Sequence, residues 1–111
     1  MTDTFPHLSL AVILAILPWG IAMAEKHTNE ALQHATEAAK SAGDSKAVGE
    51  HASQALQHLE AAKAANPASA KQLEQSEADL RSAVTHSQHF NSDSAAKDAA
   101  DAKAKLEAVH P

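Results

Sequence analysis

The chain contains no cysteine, so a disulfide framework and thiolate metal sites are excluded, and any bound metal must be held by imidazole, carboxylate or water. Three glycines and four prolines in 111 residues leave little material for elaborate loops and fit one small domain. Aromatic residues are limited to Phe5, Trp19 and Phe90, which removes base-stacking platforms and the aromatic-lined pocket usual for organic ligands. Positive charge is not in excess either. Nine basic and 14 acidic residues give a net charge of −5, scattered along the chain, so neither a nucleic-acid footprint nor a polybasic membrane surface is present. A cysteine nucleophile, a glycine-rich phosphate loop and a His-Glu-x-x-His zinc motif are all missing, and the chain is not expected to be an enzyme.

One apolar run is present, Leu8 to Leu17, interrupted by Pro18-Trp19-Gly20 and followed by Ala22-Met23-Ala24, a small-x-small pattern of the kind signal peptidases cut. Residues 1–24 therefore read as an export signal cleaved after Ala24. Residues 25–111 then form the mature domain, periplasmic or secreted and free of the membrane. The run is short for a span of about 20 residues. No cysteine follows it to carry a lipid.

Beyond residue 24, alanine, glutamate, glutamine, lysine and leucine dominate and β-branched residues are sparse, a composition that favours helix and leaves strands unsupported. Breakers at Gly43-Asp44, Asn66-Pro67 and Asn91 to Ser94 divide it into four segments. The spacing predicts helices over 26–42, 45–65, 67–90 and 94–109, capped by Asp44 or Ser45, by Asn66 ahead of Pro67, and by Ser92 or Asp93. Short connections make consecutive helices antiparallel, hence an all-α, up-down-up-down four-helix bundle. The apolar stripes are Leu32, Ala35, Ala39 and Ala42; then Val48, Ala52, Leu56 and Leu59; then Leu73, Leu80 and Val84; then Ala95, Ala99, Ala102, Leu106 and Val109. Such a core is thin, because alanine buries little area.

Against this plain background the histidines are ordered. Glu30-Ala31-Leu32-Gln33-His34 returns as Gln54-Ala55-Leu56-Gln57-His58, and His27 returns as His51. Seven residues are almost two helical turns, so His27 and His34 share one line of their helix, roughly 110° from the centre of its apolar stripe, and His51 and His58 repeat the relation. Members of a pair stand about 10.5 Å apart along the axis, too far to share one ion at metal–nitrogen distances near 2 Å. Each helix supplies half-sites. Glu30 and Glu37 stand three residues after His27 and His34, within reach on the same helix. In a hairpin folded near Ala42-Gly43, residues whose numbers sum to 85 lie at one height, and His27/His58 and His34/His51 both qualify. If the histidine lines converge, two stacked sites result, with Glu30 or Glu37 at the edge. If they diverge, His51 and His58 meet Asp79 and His86 of the third helix. His86 with His89, and the terminal His110, are less regular additions.

The phrases Glu30-Ala31-Leu32-Gln33-His34 and Ala55-Leu56-Gln57-His58-Leu59-Glu60-Ala61-Ala62, behind an export signal, resemble the small metal-binding protein family, periplasmic four-helix bundles that take up copper, nickel and zinc. The chain departs from that family in carrying Asp79, Asp98 and Lys105 where further histidines are expected, which implies a lower metal capacity. The resulting expectation is a monomeric, non-enzymatic binder that buffers divalent transition ions, Cu2+ ahead of Ni2+ and Zn2+, through His27, His34, His51, His58, His86, His89, Glu30, Glu37 and Asp79. The alternative is an exported adaptor or holdase whose histidines are incidental.

Overall fold

The computed structural model describes the backbone of residues 4–109 and the side chains of residues 20–109. Helix α1 spans Thr4–Lys40, α2 Ser45–Ala65, α3 Ala70–Gln88 and α4 Ser92–Val109, with a single 3-10 turn at Pro67–Ser69 leading into α3. No strand occurs among the described residues. Each helix packs on its neighbours in sequence and α4 closes back onto α1, which makes the all-α, up-down-up-down bundle expected of short connections. The molecule measures 66 × 20 × 17 Å, its length set by α1, about twice as long as its partners. No helix among the described residues is long and apolar enough to cross a membrane.

Local chemistry accounts for the ends. The Asp44 side chain accepts the Ala47 amide at 3.1 Å and caps α2, and Gly43, at φ +98°, supplies the left-handed residue that ends the first turn. Asn66 precedes Pro67 as expected, but its side chain makes no capping bond and the first turn is 3-10. At α4 the cap is Asn91, whose Oδ1 accepts from the Ser94 amide at 3.4 Å and whose carbonyl accepts from Ala95. The helix starts at Ser92, two residues before the predicted 94, and Ser92 and Asp93 are inside it. Helix α3 stops at Gln88, short of the predicted 90, and α1 at Lys40, short of 42.

Helix α1 begins at Thr4, well before the predicted 26, and runs through Pro18-Trp19-Gly20. Proline removes one internal hydrogen bond, but continuing a helix already formed on both sides costs less than nucleating a second one. Gly20 has a packing role. A Cβ there would lie 2.6 Å from the Ala65 carbonyl oxygen, so the glycine lets α1 touch the end of α2. Gly49 does the same between α2 and α3, where a Cβ would meet the Ser87 Oγ at 2.5 Å.

Among the described residues, twelve of the seventeen buried apolar ones are alanines; the largest are Leu59, Leu73, Leu80, Leu106 and Val48. The buried arcs of α1 and α2 differ from the predicted stripes. Ala31, Ala35 and Ala38 are fully buried on α1, while Leu32 and Ala39 are half-buried and Ala42 is exposed; on α2, Ala55 and Ala62 are fully buried and Leu56 only half. The reason is that each helix of a four-membered ring buries an arc against two neighbours, and small alanines seat closer than leucines. Ala31, Ala38, Ala55 and Ala62 lie on the histidine lines. Those lines therefore run along the seam between α1 and α2.

The third helix carries the buried charge. Glu77 is almost wholly enclosed and accepts from Lys63 Nζ at 2.8 Å, with Arg81 and Glu60 completing the network. Burial, with Glu60 adding to it, pushes the Glu77 carboxyl above its ordinary range, while its bond to Lys63 holds that ammonium charged.

Candidate metal centre

Because α1 and α2 meet along their alanine lines, the histidines set seven residues apart on each helix face one another. The Gly20/Ala65 contact lies in the same register: its numbers sum to 85, as do those of His27/His58 and His34/His51. The imidazoles alternate across the seam. Ring centroids are 5.5 Å apart for His27 and His58, 5.4 Å for His58 and His34, and 5.8 Å for His34 and His51. The hand of the hairpin, open in the sequence, is thus the convergent one.

At the lower level three donor atoms come together. His27 Nδ1 is 3.2 Å from His58 Nδ1, and His58 Nδ1 is 3.1 Å from Glu30 Oε2. All three residues are half-buried, and one ligand atom from each lies within 4.8 Å of the others. Donors set tetrahedrally at about 2.0 Å from one ion stand about 3.3 Å apart, so the two short distances match edges of a coordination polyhedron. A neutral imidazole has one ring N–H. His58 Nδ1 can donate to Glu30 or accept from His27, not both, and a cation between the three atoms would satisfy them together.

The upper level is looser. His34 and His51 stack without a nitrogen–nitrogen contact, and His51 Nδ1 is buried with no hydrogen-bond partner. They line a cleft with Glu37 and with Glu107 of α4. The Glu37 side chain is exposed and does not join the three-donor cluster. Glu107, which donates nothing to the repeat pattern and accepts from Lys103 at 3.3 Å, is the acidic neighbour the sequence did not reveal; its position depends on the rotation of α4, for which the sequence holds no signal.

Burial lowers the pKa of His34, and the nearby His58 and His51 lower it further, against the opposing pull of Glu30 and Glu37. A folded-state value below the unfolded 6.5 means that the unfolded chain takes up this proton first as pH falls. The metal-free bundle should therefore lose stability on acidification through 6.5, and urea midpoints measured across that range should fall less steeply in His34→Gln. Equal slopes for the two proteins would remove His34 as the cause.

The remaining predicted residues stand elsewhere. His86 Nδ1 and Ser82 Oγ each lie 2.7 Å from Asp98 Oδ2, Asp79 accepts from Lys105 Nζ at 2.6 Å, and His89 is exposed at the end of α3. None meets His51 or His58. The α3/α4 hairpin repeats the two-level register of the first, since Asp79/Lys105 and His86/Asp98 both sum to 184, but an ammonium–carboxylate pair and a histidine–carboxylate hydrogen bond fill it in place of paired imidazoles. His110 lies outside the described residues.

A family model described as small metal-binding protein matches residues 2–109. Comparison with curated proteins and with solved structures gave no match.

Proposed function

The chain belongs to the small metal-binding protein family, and from that premise we propose that it binds Cu2+, Ni2+ and Zn2+ in the α1/α2 seam and buffers them outside the cytoplasm, as a monomer and without catalysing a reaction. The observation that carries this reading is the approach of His27 Nδ1, His58 Nδ1 and Glu30 Oε2 to one another. Two neutral imidazoles and a carboxylate suit borderline ions and leave a position for water. His34 and His51, with Glu37 beside them, form a weaker second station one level up, and the depressed pKa of His34 keeps that ring unprotonated and able to donate. Asp79, His86 and His89 contribute only at high metal concentration, because Asp79 and His86 are already paired.

Imidazole donors must lose their proton to bind, so uptake is expected to fail in acid. Export rests on the apolar run and the Ala22-Met23-Ala24 pattern. Titration calorimetry tests the reading: Zn2+, Ni2+ and Cu2+ should each give heat with the wild-type protein. Heats that persist unchanged in a variant with His27, His34, His51 and His58 all replaced by Gln would defeat it.

A further inference from the structure

Cutting the bond between Ala24 and Glu25 does more than release a leader. Water adds across the amide, Ala24 keeps a carboxylate, Glu25 gains a primary amine, and the mature chain opens Glu25-Lys26-His27. Histidine in third place after a free amine is a chelating arrangement. The amine, the two following amide nitrogens and imidazole Nδ1 close three fused rings around one ion and present four nitrogens in a plane, the geometry that Cu2+ and Ni2+ prefer.

We infer that the mature terminus is a second metal site, selective for Cu2+ and Ni2+, built from the Glu25 amine, the Lys26 and His27 amide nitrogens, and His27 Nδ1. The inference rests on the export reading and on cleavage after Ala24. Binding displaces the two amide protons, together with the ammonium proton from chains that carry one, so the charge of the ion is offset locally.

The helix prepares the amides for this. Within α1 the N–H groups of Lys26 and His27 pair with the carbonyls four residues earlier, on Ala22 and Met23. Cleavage removes both acceptors, and the two amides join the unpartnered donors of a new helix N-terminus. Glu25 and Lys26 are exposed and His27 is half-buried; the first fully buried residue of the mature α1 is Ala31. Unwinding the first three residues onto an ion therefore withdraws no fully buried side chain.

His27 is shared between the two sites. The Nδ1 that would close the chelate is the atom that stands 3.2 Å from His58 Nδ1, so an ion at the terminus takes His27 away from His58 and Glu30. Zn2+ gains nothing from planar geometry and stays in the seam. One histidine thereby sorts ions by electronic preference: the terminus draws Cu2+ and Ni2+ away from the seam, which otherwise holds all three, and Zn2+ stays between the helices.

The test uses the full precursor, expressed with its own leader and purified after export. N-terminal sequencing should read Glu25-Lys26-His27. Ni2+ should give a yellow, diamagnetic planar complex and Cu2+ a violet one, each at one equivalent. Lys26→Pro deletes one amide proton, and proline is tolerated in the first turn of a helix; this variant should lose both spectra while its Zn2+ calorimetry stays as in wild type. His58→Gln should do the reverse. A different terminus overturns the inference, as does a paramagnetic Ni2+ complex on the correct one, or a planar complex that survives Lys26→Pro. The Zn2+ titration judges the seam site separately.

Discussion

Replacing His58 with Gln is expected to lower Zn2+ affinity by at least about 100-fold, more than any other single histidine substitution. The loss of an outer-sphere partner already costs 10- to 100-fold in comparable sites, and His58 is closer than that. Its Nδ1 stands 3.2 Å from His27 Nδ1 and 3.1 Å from Glu30 Oε2, and its ring is stacked 5.4 Å from His34. Like His27 it joins the three-donor cluster, and unlike His27 it also contacts the upper level through His34. His51→Gln should cost no more than about tenfold, because His51 Nδ1 has no partner to lose and only His34 beside it. His86→Gln should leave Zn2+ binding unchanged, since that ring is bonded to Asp98 on the opposite hairpin. Competition titrations against a chelator of known affinity rank the three. If His58→Gln and His86→Gln behave alike, the metal is not held in the seam.

That ranking depends on a fact the sequence holds only in part. Heights along the hairpin follow from the loop at Gly43 and from helical rise, and the pairing of His27 with His58 and of His34 with His51 can be read from numbers alone. Whether paired residues face each other depends on rotation about the helix axes. Leucine is a poor guide to that rotation in a chain where most of the core is alanine: Leu32 and Leu56 suggest stripes centred on themselves, yet both are only half-buried, while Ala31, Ala38, Ala55 and Ala62 join Ala35, Val48, Ala52 and Leu59 as wholly buried. Small residues decide where helices approach, and their burial leaves no mark in a hydropathy pattern that counts side-chain size. The same holds at Gly20, which adds nothing to a hydropathy pattern and yet marks a close helix contact. On α3 and α4 the register was equally legible, but the partners were not. Asp79 and His86 look like candidate ligands until Lys105 and Asp98 are found bonded to them.

Leu80→Ala should come close to unfolding the metal-free protein and should be rescued by Zn2+. Leu80 is fully buried on α3, one of four leucines that, among the described residues, fill a core otherwise made of alanine and one valine. Removing a buried leucine costs about 3 kcal/mol or more, through lost transfer energy and the cavity left behind. Native domains retain about 5–15 kcal/mol in all, and an alanine-rich core of this size belongs at the lower end. Neighbouring leucines cannot collapse into the gap, since Leu73, Leu59 and Leu106 are themselves fully buried and packed. An ion bound only by the native state stabilises by mass action, about 2.7 kcal/mol at a hundredfold excess over its dissociation constant, enough to offset most of the damage. Thermal melts should therefore show a low midpoint for Leu80→Ala that climbs with Zn2+ concentration. The double variant Leu80→Ala, His58→Gln should stay low, because Leu80 lies on a helix that contributes nothing to the seam and only loss of the site can abolish the rescue. A Zn2+-dependent climb of equal size in both proteins would mean that the ion stabilises the bundle from somewhere other than the α1/α2 seam.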